Sequence, residues 1–253
     1  MNESSGLFKY LSPDKIVFFE DRLVLLTPPV YLNDPWDFLP KGATPSEDDA
    51  MQIGADFASD EFLAAQGTYY QKEIGKVVGI VSLTEQALSR LMWAHYADSH
   101  RGFVAEFATW EPAEKYGFSI RMCAVGPVVA GKLKPVVAAK VKYRSDFQEI
   151  SRNAENVQEV PWSKHPDWER EQEWRIVWPL RGSIPRTTSE GARRFCLPFP
   201  PEGLRRVILG MRVEPELKQR LCRMLDQEEF KHVQKQVTDI DPRTGEMVVL
   251  RAA

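Results

Sequence analysis

The stretch "EREQEWRIVWPL", Glu169 to Leu180, carries three glutamates, two arginines and two tryptophans in twelve residues. Its reading decides the fold, because one periodicity gives way to another inside it. "HPDWEREQE" has the look of a helix, whereas "WRIVW" suits a strand that Pro179 halts. If 171–178 is extended, side chains alternate, so Trp174, Ile176 and Trp178 take one face and Glu171, Glu173 and Arg175 the other. Three ionisable groups beside buried tryptophans are costly to desolvate unless they pair or face a wet cleft. If 167–174 is helical instead, Glu169 and Glu173 are i,i+4 neighbours on an ordinary exposed face. We read a helix end that runs into a buried strand, with Glu169 and Arg170 solvated and Glu173 at the junction.

Outward from that junction, strands and helices mix without regular βαβ alternation. "LFKYLS" (7–12) reads as a strand, followed by a helical turn with Ser12 as N-cap and Pro13 at the first helical position. "RLVLLTP" (22–28), "KVVGIVSLTE" (76–85) and "GFVAEFA" (102–108) read as strands. "EQALSRLMWAHYADSH" carries a helical stripe at Leu88, Leu91, Met92 and Tyr96. "VGPVVAGKLKPVVAAKVKY" gives one or two strands ending at Tyr143, and "RSDFQEISRNAENVQEV" a helix or loop. "EGLRRVILGMRV" is a late strand, "EPELKQRLCRML" a helix, and the remainder a hairpin turning near "DPRTGE". In "YLNDPWDFLP", Asn33, Asp34 and Asp37 are turn and cap residues, and Trp36 and Phe38 are packing anchors or cleft walls. The expectation is one α+β domain over 1–253, with a central mixed or antiparallel sheet flanked by helices and a helical insertion at about 42–75.

Composition sets the remaining bounds. With 253 residues, 43% apolar and 27% charged, the chain can bury a sizeable core. The formal charge of −3 offers no global basic field for nucleic acid. A local face from Lys132, Lys134, Lys140, Lys142, Arg193, Arg194, Arg205 and Arg206 stays open beside the plainer reading of scattered surface charge. "MNESSGLFKY" lacks the pattern of a signal peptide, and no long apolar run reads as a membrane span. Cys123, Cys196 and Cys222 are far apart, which suits reduced thiols in a bacterial-type cytoplasm. No cysteine–histidine pairing offers zinc ligands, and His95 and His100 are poorly spaced for sharing a metal.

Four segments together, "LFKYLS", "LTPPVYLNDPWD", "LMWAHYADSHRGFVAEF" and "WEREQEWRIV", resemble in order the pattern of the bacterial DUF2971 family, over most of the chain apart from the insertion. The sequence departs from it at Leu11, where an arginine is expected. The element order further resembles the ADP-ribosyltransferase plan, with an early strand bearing a His or Arg and a middle strand with Ser or Thr before a helix. An aromatic residue lies on or near that helix, and a late strand is entered through E-x-E. "VSLTE", "LMWAHYA" and "GFVAEF" match the middle of that plan, and Glu171-Gln172-Glu173 its end. Lys9 and Tyr10 stand where the early His or Arg would be.

What the resemblance implies is an NAD-using transferase or glycohydrolase without a metal, of the toxin or phage-defence type. Its acceptor would be nucleic acid or protein, and an antitoxin or regulatory partner would control it. Cleaving the nicotinamide–ribose bond passes through a cationic, oxocarbenium-like sugar, which the Glu173 carboxylate would stabilise. Glu171 would orient the acceptor or Glu173, and Arg175 would pair with either or grip a diphosphate. Lys9, Tyr10, Ser82, Trp93 and Tyr96 are the candidate contacts to NAD. His95 is the candidate general base, although a histidine beside aromatics is also a common structural residue.

Two other classes stand beside this one. A metal-independent nuclease would need His95 within substrate reach of Glu173, with Lys9 and Arg175 as cations. A non-catalytic binding module would lock Glu173 in a salt bridge with Arg175 or another arginine, away from any cleft.

Overall fold

The computed structural model describes residues 6–39, 41–42, 60–115, 118–129, 132–145, 149–150, 157–188 and 190–251. Of the expected insertion it describes a helix, Asp60–Ile74, while residues 43–59 lie outside the described residues. So does most of the polar stretch 144–160, expected as helix or loop, of which 146–148 and 151–156 are not described.

The longer strands are β1 (Leu7–Leu11), β2 (Leu23–Leu26), β3 (Val78–Thr84), β4 (Phe103–Phe107), β5 (Thr109–Lys115), β6 (Phe118–Cys123) and β7 (Val136–Lys140). They continue with β8 (Glu173–Pro179), β9 (Ile184–Thr187), β10 (Arg193–Pro198), β11 (Leu204–Leu209), β12 (Gln234–Ile240) and β13 (Met247–Arg251). Ten of them form one sheet in the order β13-β12-β11-β4-β1-β3-β8-β7-β6-β5. Neighbours are antiparallel except β11 and β12, which run parallel. This is the mixed, mainly antiparallel sheet of an α+β fold. The strands β9-β10-β2 make a second, three-stranded sheet.

The helices are α1 (Ile16–Glu20), α2 (Asp60–Ile74), α3 (Arg90–Tyr96) and α4 (Pro215–Leu225). α4 starts at Pro215, whose missing N–H costs nothing in the first turn, and buries Leu217, Leu221, Met224 and Leu225 at helical spacing. These join Leu7, Phe19, Phe103, Phe107, Trp174 and Ile176 in the main core. A smaller cluster of Phe8, Tyr10, Met92, Trp93, Val104 and Ile208 seats α3 against the sheet.

The stripe expected around α3 is narrower than the sequence suggests. Ser89 caps the helix by accepting the Met92 N–H at 3.4 Å, so Leu88 precedes it. Met92 and Trp93 are buried, whereas Leu88 and Leu91 are exposed. Two hairpins not anticipated from the sequence, β5–β6 and β9–β10, lie at the margin of the large sheet and in the small one.

The start of β4 lies so close to the end of β1 that a Cβ at Gly102 would sit 2.0 Å from the Leu11 carbonyl oxygen. Only glycine fits there, and that approach fixes β1 against β4. On its other edge β1 is much less constrained.

Candidate functional site

β1 pairs with β4 over five register positions, from Leu7↔Phe107 to Leu11↔Phe103. With β3 it pairs at Phe8↔Thr84 alone among the described residues. β3 is meanwhile zipped to β8 along its whole length, from Glu173↔Thr84 to Pro179↔Val78. The sheet is therefore split beyond Phe8. Side chains bridge the gap: Lys9 Nζ donates to the Ser82 carbonyl at 3.0 Å, and the Tyr10 hydroxyl to the Gln86 carbonyl at 2.9 Å.

A cleft opens at this split. Phe8, Leu32, Leu83 and Met92 supply apolar wall; Lys9, Tyr96, Ser82, Thr84, Glu171 and Glu173 are among its polar lining.

The junction that opened the sequence reading turns both glutamates into this cleft. Residues Pro166–Glu171 form a 3-10 helix, not an α-helix, begun by His165, whose Nδ1 accepts the Asp167 N–H at 3.3 Å. Gln172 then adopts a left-handed conformation (φ 44°) and points to solvent. Glu171 and Glu173, on either side of exposed Gln172, both face inward. Glu171 and Glu173 are each only 4% exposed. The Thr84 hydroxyl donates to the Glu171 carbonyl at 2.5 Å, and the Glu173 N–H to the Tyr143 hydroxyl at 2.7 Å, which holds the kink on both flanks. From Glu173 the strand alternates as expected: Trp174 and Ile176 enter the main core and Arg175 takes the opposite face. Glu169 and Arg170 are exposed.

Beneath the cleft lies a buried charge network. All five donors of the Arg175 guanidinium are used. Nε donates to Glu173 Oε1 at 2.9 Å and Nη2 to Glu173 Oε2 at 3.0 Å. Nη1 and Nη2 grip the two Asp37 oxygens at 2.9 and 2.5 Å, and Nη1 also reaches the Pro161 carbonyl at 2.9 Å. Lys164 Nζ donates to Glu171 Oε2 at 2.7 Å and Glu173 Oε2 at 3.1 Å, and lies 3.8 Å from Asp37. The Tyr96 hydroxyl donates to Glu171 Oε1 at 2.5 Å and accepts from Asn33 at 2.9 Å.

Three carboxylates thus meet two cations, and Lys9 at the cleft floor brings the formal sum to zero. Burial pushes the Glu173 carboxyl up, but Arg175 and Lys164, with hydrogen bonds from Arg175 and Ser82, overcome it and hold the group well below the carboxylate range. Burial would lower the Lys164 ammonium, yet Glu173, Asp37 and Glu171 outweigh it and raise it. Burial, then the charge of Glu171, raises the Tyr96 phenol, so it stays a donor.

The structure gathers Lys9, Tyr10, Ser82, Tyr96, Glu171 and Glu173 on the cleft wall, with Arg175 behind them. Trp93 does not reach it: it is fully buried, its indole N–H bonded to the Ala87 carbonyl at 2.9 Å and its edge against Tyr10. His95 is exposed and lines a second, wider cleft with Tyr96, Lys9 and Tyr10. Arg101 is exposed and pairs with Asp98 at 3.0 Å.

Two members of the site went unread in the sequence. Asp34 is a turn residue, accepting the Trp36 N–H at 3.0 Å, but Asp37 leaves the turn to bind Arg175, 138 residues away. α2 helps hold that loop, since Gln71 donates to the Asp37 carbonyl at 2.7 Å. Lys164, in "WSKHPDW", gave no local signal at all. Among the described residues no cluster of three or more His, Cys, Asp or Glu is arranged to hold a metal ion, and no helix is long and apolar enough to cross a membrane. The three cysteines are unpaired, and burial pushes the Cys123 thiol up to about 12.

With this geometry in hand, one comparison bears on the site. Residues 92–176 match the model of a family described as "Protein of unknown function (DUF2971)". The matched span falls on the third and fourth of the four segments that carry the resemblance. It takes in Tyr96, Lys164, Glu171, Glu173 and Arg175, while Lys9, Asp37 and Ser82 lie outside it. No curated protein and no solved structure matches the chain.

Proposed function

We propose that this cleft binds NAD and cleaves its nicotinamide–ribose bond, passing ADP-ribose to water or to a nucleic-acid or protein acceptor. The observation that carries the reading is a carboxylate kept ionised in the wall of a cleft that Ser82 and a tyrosine ring also line, where two strands separate.

In that reaction the C1′–N bond breaks with its electron pair staying on the nicotinamide nitrogen, which neutralises the pyridinium. The ribose is left as an oxocarbenium-like cation, and the acceptor oxygen bonds to C1′ while its proton passes to solvent. The sugar cation needs fixed negative charge nearby, not a proton acceptor. Glu173 fits that need, because a carboxyl held far below its ordinary range is a poor general base near neutral pH. It is also crowded. Arg175 gives it two hydrogen bonds and Lys164 one. Among the described residues the Glu171 carboxylate accepts from Tyr96 and Lys164. Glu171 therefore has room for a ribose or acceptor hydroxyl, and Glu173 acts through its charge. An effector of the toxin or phage-defence kind, working in the cytoplasm under a partner's control, is the setting that suits such chemistry.

One observation favours a second reading, a non-catalytic ligand-binding module: Glu173 is locked to Arg175, as that class requires, although it lines a cleft. The nuclease reading has less behind it, since His95 lines the wider cleft and Glu173 the inner one.

Nicotinamide release from NAD separates the two leading readings. Wild type is compared with Glu173→Gln, Glu171→Gln and Ser82→Ala, with and without RNA, DNA and cell extract. Release that falls at least tenfold in folded Glu173→Gln and Glu171→Gln supports the enzyme. No release under any condition, with NAD still binding in the cleft, replaces it by the binding module.

A further inference from the structure

The inner cleft and the wider one beside it share Lys9, Tyr10 and Tyr96. Lys9 is the cation at their meeting point. It sits on β1 just past the single pairing position with β3, where the sheet splits. Its recorded hydrogen bond is to the Ser82 carbonyl. A lysine ammonium has three donors, and this side chain lines both cavities. Among the described residues no carboxylate grips it within ion-pair distance, in contrast to Lys164, which lies within ion-pair distance of three acids.

We propose that Lys9 is a reactive amine, placed where the two clefts meet, that condenses with aldehydes to form an imine. The neutral amine attacks the carbonyl carbon, a C–N bond forms, and the carbinolamine loses its oxygen as water, carrying off both amine protons. No oxidant or reductant is needed. The aldehyde class includes open-chain sugars, whose hydroxyls would find Glu171, Tyr96 and Ser82 along the inner wall.

The surroundings favour the neutral amine. Burial pushes the Lys9 ammonium down to about 8; Glu173 pulls it back in part, and Lys15 adds to the lowering. The other charged groups of the inner cleft are Glu171, Asp37 and Lys164, already tied to one another or to Arg175. The wider cleft contributes Asp14, Lys15, His95 and Asp98; Asp14 pairs with Lys15 and Asp98 with Arg101. An ordinary lysine titrates near 10.4, so at pH 7.5 it is neutral about one part in a thousand, against roughly a quarter for a group at about 8. Lower basicity also weakens the nucleophile, which leaves a net advantage of roughly ten- to a hundredfold.

The test is reductive alkylation of the full chain with propionaldehyde and cyanoborohydride, followed by peptide mass mapping. Lys9 is expected to label at least tenfold faster than the exposed Lys218 at pH 7.5, with a midpoint in pH near 8. Lys9→Arg should remove the fast equivalent of label, and Glu173→Gln should shift the midpoint lower. Lys9 labelling no faster than Lys218, in protein whose tryptophan fluorescence reports the folded state, overturns the proposal. NAD cleavage plays no part in this readout, so the two proposals fail separately.

Discussion

Replacing Arg175 by methionine should unfold the protein more readily than any other single change to the site. The side chain is 1% exposed and all five of its N–H groups are bonded, four of them to carboxylate oxygens. Among Asp37, Glu171, Glu173, Lys164 and Arg175 the formal charge is −1, and the variant makes it −2. Lys164 cannot compensate fully, because it already serves Glu171 and Glu173 and stands 3.8 Å from Asp37. Removing one partner of a buried pair costs about 3–5 kcal/mol, since the other partner stays desolvated without its counter-charge. For a chain of this size that is roughly 6–20 °C in Tm, at about 2–4 °C per kcal/mol. Urea unfolding followed by tryptophan fluorescence measures it, with the m-value as the check on cooperativity. In the double variant with Asp37→Asn the losses should not add, because the carboxylate stranded by the first change is gone. A loss under about 1 kcal/mol in Arg175→Met at unchanged m would refute the reasoning: the network would then be relaxed or hydrated enough for the guanidinium to be dispensable.

Three further outcomes are expected. The Glu173 carboxyl is depressed in the folded state, so its contribution is complete above the unfolded value near 4.3 and is lost as pH falls below it. Urea midpoints from pH 7 to pH 3 should fall steeply for wild type and less for Glu173→Gln, whereas parallel curves would place the acid-sensitive group elsewhere. Tyr96→Phe removes a hydroxyl bonded to Glu171 and Asn33 and should cost about 1 kcal/mol in the same assay; a neutral result would mean water replaces it. Gly102→Ala forces a Cβ to 2.0 Å from the Leu11 carbonyl oxygen and 3.1 Å from that of Ala97. Because backbone must move, a loss of about 1–3 kcal/mol or more is expected, and an unchanged melting temperature would show that β1 can shift freely.

Local pattern made much of this fold legible. Strand alternation in "WRIVW" assigned Trp174 and Ile176 to the core and Arg175 to the other face, and the spacing of Leu217, Leu221 and Leu225 announced α4. What could not be read is whatever depends on distance along the chain. "NDPWD" is good turn chemistry, and Asp34 behaves accordingly; nothing local tells Asp37 that its partner is Arg175. The β5–β6 strands carry mixed, half-exposed side chains at the sheet margin and so lack the alternation that marks a half-buried strand. The left-handed backbone at Gln172 was equally hidden, since a left-handed glutamine has no sequence signature of its own.

Stability alone does not account for the charges under the cleft. A buried ion pair replaced by well-packed apolar residues is often neutral or stabilising, so a strand end that needed only to be firm would do as well with leucine and methionine. Here two cations and three carboxylates are kept almost wholly from water, and all three carboxylates border an open cavity. Asp37 neutralises one side of Arg175, which leaves the other side to hold Glu173 in a single orientation. Lys164 then spans Glu171 and Glu173 and fixes their separation. Such an arrangement delivers negative charge at a defined place with little reorganisation when a cation forms beside it, which is the property that electrostatic stabilisation of a reacting sugar demands. It also explains why Arg175, though it touches no part of the cavity, is the residue on which both the fold and the proposed chemistry depend.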